Sequence, residues 1–258
     1  MQKIEIIHKP TELEPFVVIN KPSGLPSAPL SETDKYNALS QAIELFPNIL
    51  SVKGKKTIEY GLLHRLDTVT SGLIVIATSQ EFYDILQNEQ KNGRFIKTYT
   101  AKSIYKENNC DNLGGFPSCD FIDISKKRND YQIKVESYFR PFGNGSKAVR
   151  PVTEKSGKAA LKKCGNKIYT TNISASYLKT VDNEDIYNIV CKISEGYRHQ
   201  VRCHLAWIGF PIVGDALYNS YENDLSTKKI EFVASAIEFT NPIIDKKYVF
   251  NCNTRNET

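Results

Sequence analysis

Several features are scarce in this chain of 258 residues, and each scarcity excludes something. Apolar runs are short: stretches such as 73–77 fall far below the ~20 residues a membrane helix needs, so no transmembrane span is expected. The opening Met1-Gln-Lys-Ile-Glu-Ile-Ile-His8 puts Glu5 and His8 where a secretory signal requires an apolar stretch, which makes the cytoplasm the expected location. No Cys-x-x-Cys pair occurs. The six cysteines, at 110, 119, 164, 191, 203 and 252, fall at irregular spacing, which argues against a disulfide framework or a zinc ribbon and for reduced thiols. Arginine is scarce at 8 residues against 26 lysines, so each arginine is the more informative. A net charge of +5 is only a weak pointer to nucleic acid, because charge modulates solubility as readily as binding. With 40% hydrophobic and 24% charged residues, the chain is neither disordered nor collagen-like nor a coiled coil, and it is long enough to bury a core.

What is present reads as a mixed α+β domain. Phe16-Val-Val-Ile19 is a short strand running into the turn Asn20-Lys-Pro-Ser-Gly24. Residues 37–46 carry Leu39, Ala42, Ile43 and Phe46 at helical spacing, and Pro47 stops them. Leu73-Ile-Val-Ile-Ala77 has the continuous β-branched character of a buried strand. A capping signature over Thr78–Glu81 then opens a helix that Asn92-Gly93 closes, and β character resumes over 95–103. The turn-rich stretches 108–130 and 141–165 read as long loops or short hairpins. Strands over 168–178 and 186–194 flank the acidic turn Asp182-Asn-Glu-Asp185, and 199–208 has helical spacing with Gly209 as its C-terminal cap. Further strands are expected over 230–239 and 248–250, before a frayed polar tail over 251–258.

Charge is unevenly spread. Between Ser146 and Lys167 lie Lys147, Arg150, Lys155, Lys158, Lys162, Lys163 and Lys167 against Glu154 alone, a local excess of six that is more than the net charge of the whole chain. A solvated lysine-rich loop explains such a run as well as a ligand does.

Two stretches could carry chemistry. In Tyr60-Gly-Leu-Leu-His-Arg-Leu-Asp67-Thr-Val-Thr-Ser-Gly72, His64, Arg65 and Asp67 stand at the mouth of a buried strand, a placement that suits a site. Taken alone, Asp67 reads first as a turn residue bonding backbone amides. The second stretch, Ser194 to Tyr218, holds His199, Gln200 and Arg202 on a helix, followed by a Gly-Phe-Pro-Ile-Val-Gly-Asp turn. Zinc ligation by Cys191, His199, Cys203 and His204 fails, because adjacent helical residues point about 100° apart and no second cysteine pair closes a tetrahedron.

These residues carry a resemblance. His64-Arg-Leu-Asp67-Thr-Val-Thr-Ser-Gly72 resembles the signature of the RluA-type pseudouridine synthases, His-Arg-Leu-Asp-x-x-Thr-Ser-Gly, at every fixed position. Asn20-Lys-Pro-Ser-Gly24 is similar to the family's Asn-Lys-Pro-x-Gly stretch, and Lys97-Thr-Tyr99-Thr-Ala101 to its Lys-x-Tyr-x-Ala strand. His199-Gln-Val-Arg202-x-His-Leu with Gly209-x-Pro-Ile-x-Gly-Asp215-x-Leu-Tyr218 matches a further anchor. The four anchors run in order from residue 20 to residue 218. One departure is visible: where the family has Thr-Gly-Arg-Thr-His-Gln, this chain has Glu195-Gly-Tyr-Arg-His-Gln200, which displaces Arg198 by one position.

The resemblance implies a single pseudouridine synthase-like domain over 1–250, without a separate N-terminal RNA-binding domain. Its α+β fold would be a mixed, mainly antiparallel sheet flanked by helices and loops, with an active-site cleft across the sheet. It implies isomerisation of a uridine in structured RNA, ribosomal or transfer; that reaction needs no cofactor, no metal site is expected, and nothing in the sequence demands more than a monomer. Asp67 becomes the catalytic carboxylate, Arg202 its guanidinium partner and Tyr99 the aromatic group at the uracil. Arg65 and His64 fall beside the flipped nucleotide, His64 in a structural role, and Ile193 becomes an apolar wall. Arg198, Lys158, Lys162 and Lys163 become RNA contacts. Two rivals stand beside this reading: a catalytically silent RNA-binding protein of the same fold, and a hydrolase using Asp67 with Glu195.

Overall fold

The computed structural model describes residues 2–107, 109–119, 128–220 and 229–252. The chain divides into two compact units, Met1–Thr98 with Val233–Thr258, and Tyr99–Phe232.

The first unit is built on β1 (Glu5–His8), β2 (Phe16–Lys21), β3 (Ser71–Ala77), β9 (Phe232–Asn241) and β10 (Lys246–Asn251), with helices α1 (Ala38–Leu45) and α2 (Gln80–Lys91). The pairs β1–β2, β2–β3 and β9–β10 are antiparallel, and β3–β9 is parallel. Leu73 to Ala77 are fully buried, as a continuous apolar run in an inner strand requires. Both helices begin on side-chain caps: Asn37 Oδ1 accepts from the Ser40 amide at 2.8 Å, and Ser79 Oγ from the Phe82 amide at 3.3 Å. The cap of α2 is therefore Ser79, one residue after the Thr78 expected from the sequence. Phe82, Tyr83 and Leu86 turn inward onto Phe16, Leu73, Val75 and Phe239, and the Phe16 and Phe82 rings stack at 5.1 Å.

In the second unit the strand order is β4 (Ile96–Ile104, from Tyr99 onward in this unit), β8 (Glu184–Ile193), β7 (Tyr169–Val181), β5 (Tyr131–Phe142) and β6 (Ala148–Val152). The pairs β5–β6, β5–β7 and β7–β8 are antiparallel. Asp182 and Asn183 both adopt left-handed backbone, which matches the twist of the β7–β8 hairpin they close. Of the stretches read as loops, 109–113 forms the short helix α3 (Asn109–Leu113) and 158–161 the single turn α4 (Lys158–Leu161), while 141–152 belongs to the β5–β6 hairpin. Helix α5 (Gln200–Trp207) is buried on every side rather than along one apolar stripe. Its three polar residues are each satisfied internally, as described below. The mainly antiparallel mixed sheet with few helices is the expected fold class. Asn251 ends β10 instead of opening a tail, and 253–258 lie outside the described residues. Among the described residues no helix is long and apolar enough to cross a membrane.

Candidate functional site

In the first unit, the stretch from Gly61 to Gly72 is a loop with both ends fastened to β3. On the way in, the Leu63 amide donates to the Val75 carbonyl at 3.1 Å and the Ala77 amide to the Gly61 carbonyl at 2.8 Å. The approach is so close that a Cβ on Gly61 would lie 2.0 Å from the Ala77 oxygen. On the way out, Gly72 holds φ at +122° and pairs with Ala234 of β9, where a Cβ would lie 2.2 Å from the Ala234 oxygen. Between these anchors Arg65, Leu66 and Asp67 form the crest, closed by the Thr70 amide donating to the Asp67 carbonyl at 3.0 Å. The glycines thus set how tightly the Asp67 loop is drawn onto the sheet.

A second loop grips the first. Lys21 is fully buried at the end of β2, and its ammonium donates to the carbonyls of Pro22 (2.9 Å), Leu25 (2.7 Å) and Thr68 (3.3 Å). Around it, the Gly24 amide donates to the Thr68 carbonyl (2.7 Å) and Ser23 Oγ to the Val69 carbonyl (2.6 Å). Ser27 Oγ donates to the Leu66 carbonyl (2.7 Å) and accepts from the Leu66 amide (3.0 Å). Burial drives the Lys21 pKa down to about 8, offset in part by the charge of Asp67. The Asn20-Lys-Pro-Ser-Gly24 turn is therefore the buttress of the half-buried Asp67.

The neighbours of Asp67 divide by environment. Arg65 is exposed, and its Nη1 donates to Glu59 Oε1 at 3.0 Å. His64 turns inward, where its Nε2 accepts from the Val75 amide (3.4 Å), its ring meets Phe95 edge-on, and its Nδ1 is buried without a partner. Burial first, then the charges of Lys97 and Lys55, holds the His64 pKa well below the usual histidine value, so it is a neutral packing group.

In the second unit, α5 carries Arg202 with its side chain buried. Its Nε donates to Asp215 Oδ2 at 2.8 Å and its Nη2 to Asp215 Oδ1 at 2.7 Å, a bidentate pair over the Tyr218 ring. Asp215 Oδ1 also accepts from the amides of Leu217 and Tyr218, which fixes the Gly214-Asp215 turn. Gln200 Nε2 donates to the Thr170 carbonyl and Thr171 Oγ1, and His204 bridges Ser137 Oγ (2.9 Å) and Thr171 Oγ1 (2.8 Å). Burial drives the His204 pKa down to about 3. No role for Asp215 follows from the sequence alone; the signal that points to it is its place 13 residues after a scarce arginine, in the same motif.

Tyr99 on β4 is buried and stacked on Phe232, with ring centroids 5.2 Å apart and 16° between planes. Ile193 is buried at the end of β8. The Gly-Tyr-Arg departure has a packing reason: Tyr197 stacks flat on Phe139 at 5.0 Å, and Arg198 Nη2 donates to the carbonyls of Ser146 (2.5 Å) and Ala148 (3.1 Å). Lys158, Lys162 and Lys163 are exposed on and after α4. Arg150 corrects the reading of its basic segment, because it is buried with its three nitrogens on the carbonyls of Leu113, Gly114 and Val149. Among the described residues no cluster of three His, Cys, Asp or Glu could hold a metal ion.

The family model for RNA pseudouridylate synthase matches residues 15–207, which include the Asp67 loop, its buttress and α5. The chain belongs to the RNA pseudouridylate synthase family. Its relatives include the RluA type: the dual-specificity RNA pseudouridine synthase RluA of Haemophilus influenzae is 24% identical over 253 residues, covering 97% of this chain and 93% of that protein. The tRNA pseudouridine(31) synthase of Saccharomyces cerevisiae is 27% identical over 215 residues, 81% of this chain and 46% of its own length. This chain spans about half to two thirds of the first curated relatives it matches. Among solved structures, human RNA pseudouridylate synthase domain containing 1 shares the fold, with a TM-score of 0.65 at 16% identity over 98% of this chain and 84% of that one.

Proposed function

We propose that this protein is an RNA pseudouridine synthase that isomerises a uridine in structured ribosomal or transfer RNA in the cytoplasm. The observation that carries the proposal is the Asp67 loop: a complete signature whose glycines and buttressing lysine hold one carboxylate at the crest of a rigid turn. Family membership supports the same reading. The reaction breaks the bond from uracil N1 to ribose C1′ and forms one from C5 to C1′; C5 gives up a proton and N1 gains one, with no net oxidation or hydrolysis. Asp67 takes the role of catalytic carboxylate, Arg202 that of the cation acting with it, and Tyr99 that of the aromatic group at the base. A uracil cannot react while stacked, so the nucleotide leaves its helix or loop at a cost of a few kcal/mol. Arg65 is suited to fill the vacated space, and Lys158, Lys162 and Lys163 to meet phosphates without reading sequence.

The test is release of tritium from RNA labelled at uracil C5, with mapping of the product site in cellular RNA. The wild-type protein should release label and form pseudouridine, and Asp67→Asn should abolish both while still binding RNA. Retained turnover in Asp67→Asn would refute the assignment of Asp67. Release of free uracil would mark a hydrolase instead.

A further inference from the structure

Among the described residues there are seven arginines, and they fall into two groups. Arg65, Arg94, Arg128 and Arg202 each pair with a carboxylate, on Glu59, Glu89, Asp185 and Asp215. Arg140, Arg150 and Arg198 donate to main-chain carbonyls rather than to carboxylates, and all three converge on the β5–β6 hairpin.

Within that hairpin Arg140 and Arg150 are directly opposite each other in register. Like charges facing across a strand pair are destabilising. Here both guanidinium groups are drawn to the same Phe142 ring, at 5.1 and 4.1 Å from its centroid, which brings the two charges close while its face offsets only part of their repulsion. Arg150 is buried with one hydrogen bond from each of its three nitrogens to a carbonyl and its guanidinium over the Phe116 and Phe142 rings, and it has no carboxylate partner among the described residues. Arg140 is half-buried and poorly satisfied. Its carbonyl contacts, to Pro141 and Gly115, are long at 3.5 and 3.3 Å, and its Nε is buried without a partner. An orphaned guanidinium nitrogen beside a like charge that has no carboxylate partner calls for an anion. Arg198 adds a third charge at the tip, beside Lys147 and the exposed turn of Gly143 to Ser146.

We propose that the β5–β6 hairpin is a phosphate-binding site, with Arg140 and Arg198 as its contacts and Arg150 as a fixed charge behind them. The occupant is a phosphate group. Resting on the pseudouridine synthase reading, it is a backbone phosphate of the substrate RNA; a free inorganic phosphate has the same chemistry and is the other source.

The test compares wild-type protein with the double variant R140Q/R198Q in two measurements. One is RNA affinity against salt concentration, and the other is the rise of the thermal midpoint with added inorganic phosphate. For a backbone phosphate, the double variant should bind RNA about tenfold more weakly at low salt, with the slope of log K against log salt reduced by about 1–2. R140K/R198K, which keeps the charges, should retain most of the slope. Loss of the phosphate-induced stabilisation with an unchanged RNA slope supports the site and assigns it to free phosphate. An unchanged slope together with unchanged phosphate stabilisation overturns the proposal. A wild-type protein that neither binds RNA nor forms pseudouridine overturns the reading of function, while the phosphate measurement still decides the site.

Discussion

Arg202 grips Asp215 through two parallel hydrogen bonds of 2.8 and 2.7 Å, with both side chains buried. The pair carries the guanidinium into the interior of α5 and fixes the turn after it, since Asp215 Oδ1 also holds the amides of Leu217 and Tyr218. Asp215→Asn keeps an oxygen for those amides but takes from the buried Arg202 the carboxylate that accepts both of these hydrogen bonds. Such losses cost about 3–5 kcal/mol, and the denaturant midpoint should fall accordingly. Adding Arg202→Met to Asp215→Asn removes the buried guanidinium whose pair was broken and should recover most of the stability while leaving tritium release abolished. A double variant as unstable as the single one would contradict the ion-pair account.

Lys21 leads to a second prediction. Its three N–H groups are matched by the carbonyls of Pro22, Leu25 and Thr68, so Lys21→Met deprives three inward-facing carbonyls of a charged donor at once. At about 1–3 kcal/mol for each unsatisfied group, moderated by relaxation, a loss of about 2–4 kcal/mol is expected. Thermal unfolding measures it directly. A midpoint within a degree of wild type would show that the lysine does not brace the Asp67 loop.

Gly72 gives the third. A Cβ there would lie 2.2 Å from the Ala234 carbonyl oxygen at φ +122°, a backbone region that L side chains rarely adopt. Gly72→Ala must therefore separate β3 from β9 at the root of the Asp67 loop. A cost of about 2–4 kcal/mol is expected, visible as a lower denaturant midpoint. Gly93→Ala is the matched control: it has φ +73° but nothing within 4 Å of its Cβ, so it should cost less.

These three positions also show what the sequence made legible. The Asp67 loop at the mouth of β3 was readable because a continuous β-branched run follows an Asp-to-Gly turn, both local signals. Lys21 was not, because its contact with Thr68 joins residues 47 apart and leaves no periodic trace. Strand β5 is not among the expected strands, although Gln132, Lys134 and Glu136 alternate with Ile133 and Val135 at a period of two. Arg150 shows the limit of counting charge: it adds to the basic excess of its segment, yet its partners are carbonyls 36 and 37 residues away. Helix α5 lies where its spacing puts it, but the burial of its polar side chains leaves no local trace, because Ser137, Thr170, Thr171 and Asp215 meet them from other parts of the chain.

His204 turns that last point into a dependence on pH. It is fully buried between Ser137 and Thr171 and stacked on Phe139, and burial lowers its pKa from the ordinary 6.5 to about 3. Below about pH 6.5 the unfolded chain takes up a proton at this position that the folded chain refuses. The stabilisation is thus fully present above pH 6.5 and is lost as pH falls toward 3, with a slope of up to about 1.4 kcal/mol per pH unit. His64, also held neutral by burial, adds to the slope in the same direction. His204→Gln keeps a donor and an acceptor for the two hydroxyls and has no proton to gain. Denaturant unfolding between pH 7 and pH 4 should show the variant less stable at neutral pH, with an acid slope shallower by up to one proton. Parallel curves for the two proteins would mean that His204 does not govern the acid limb.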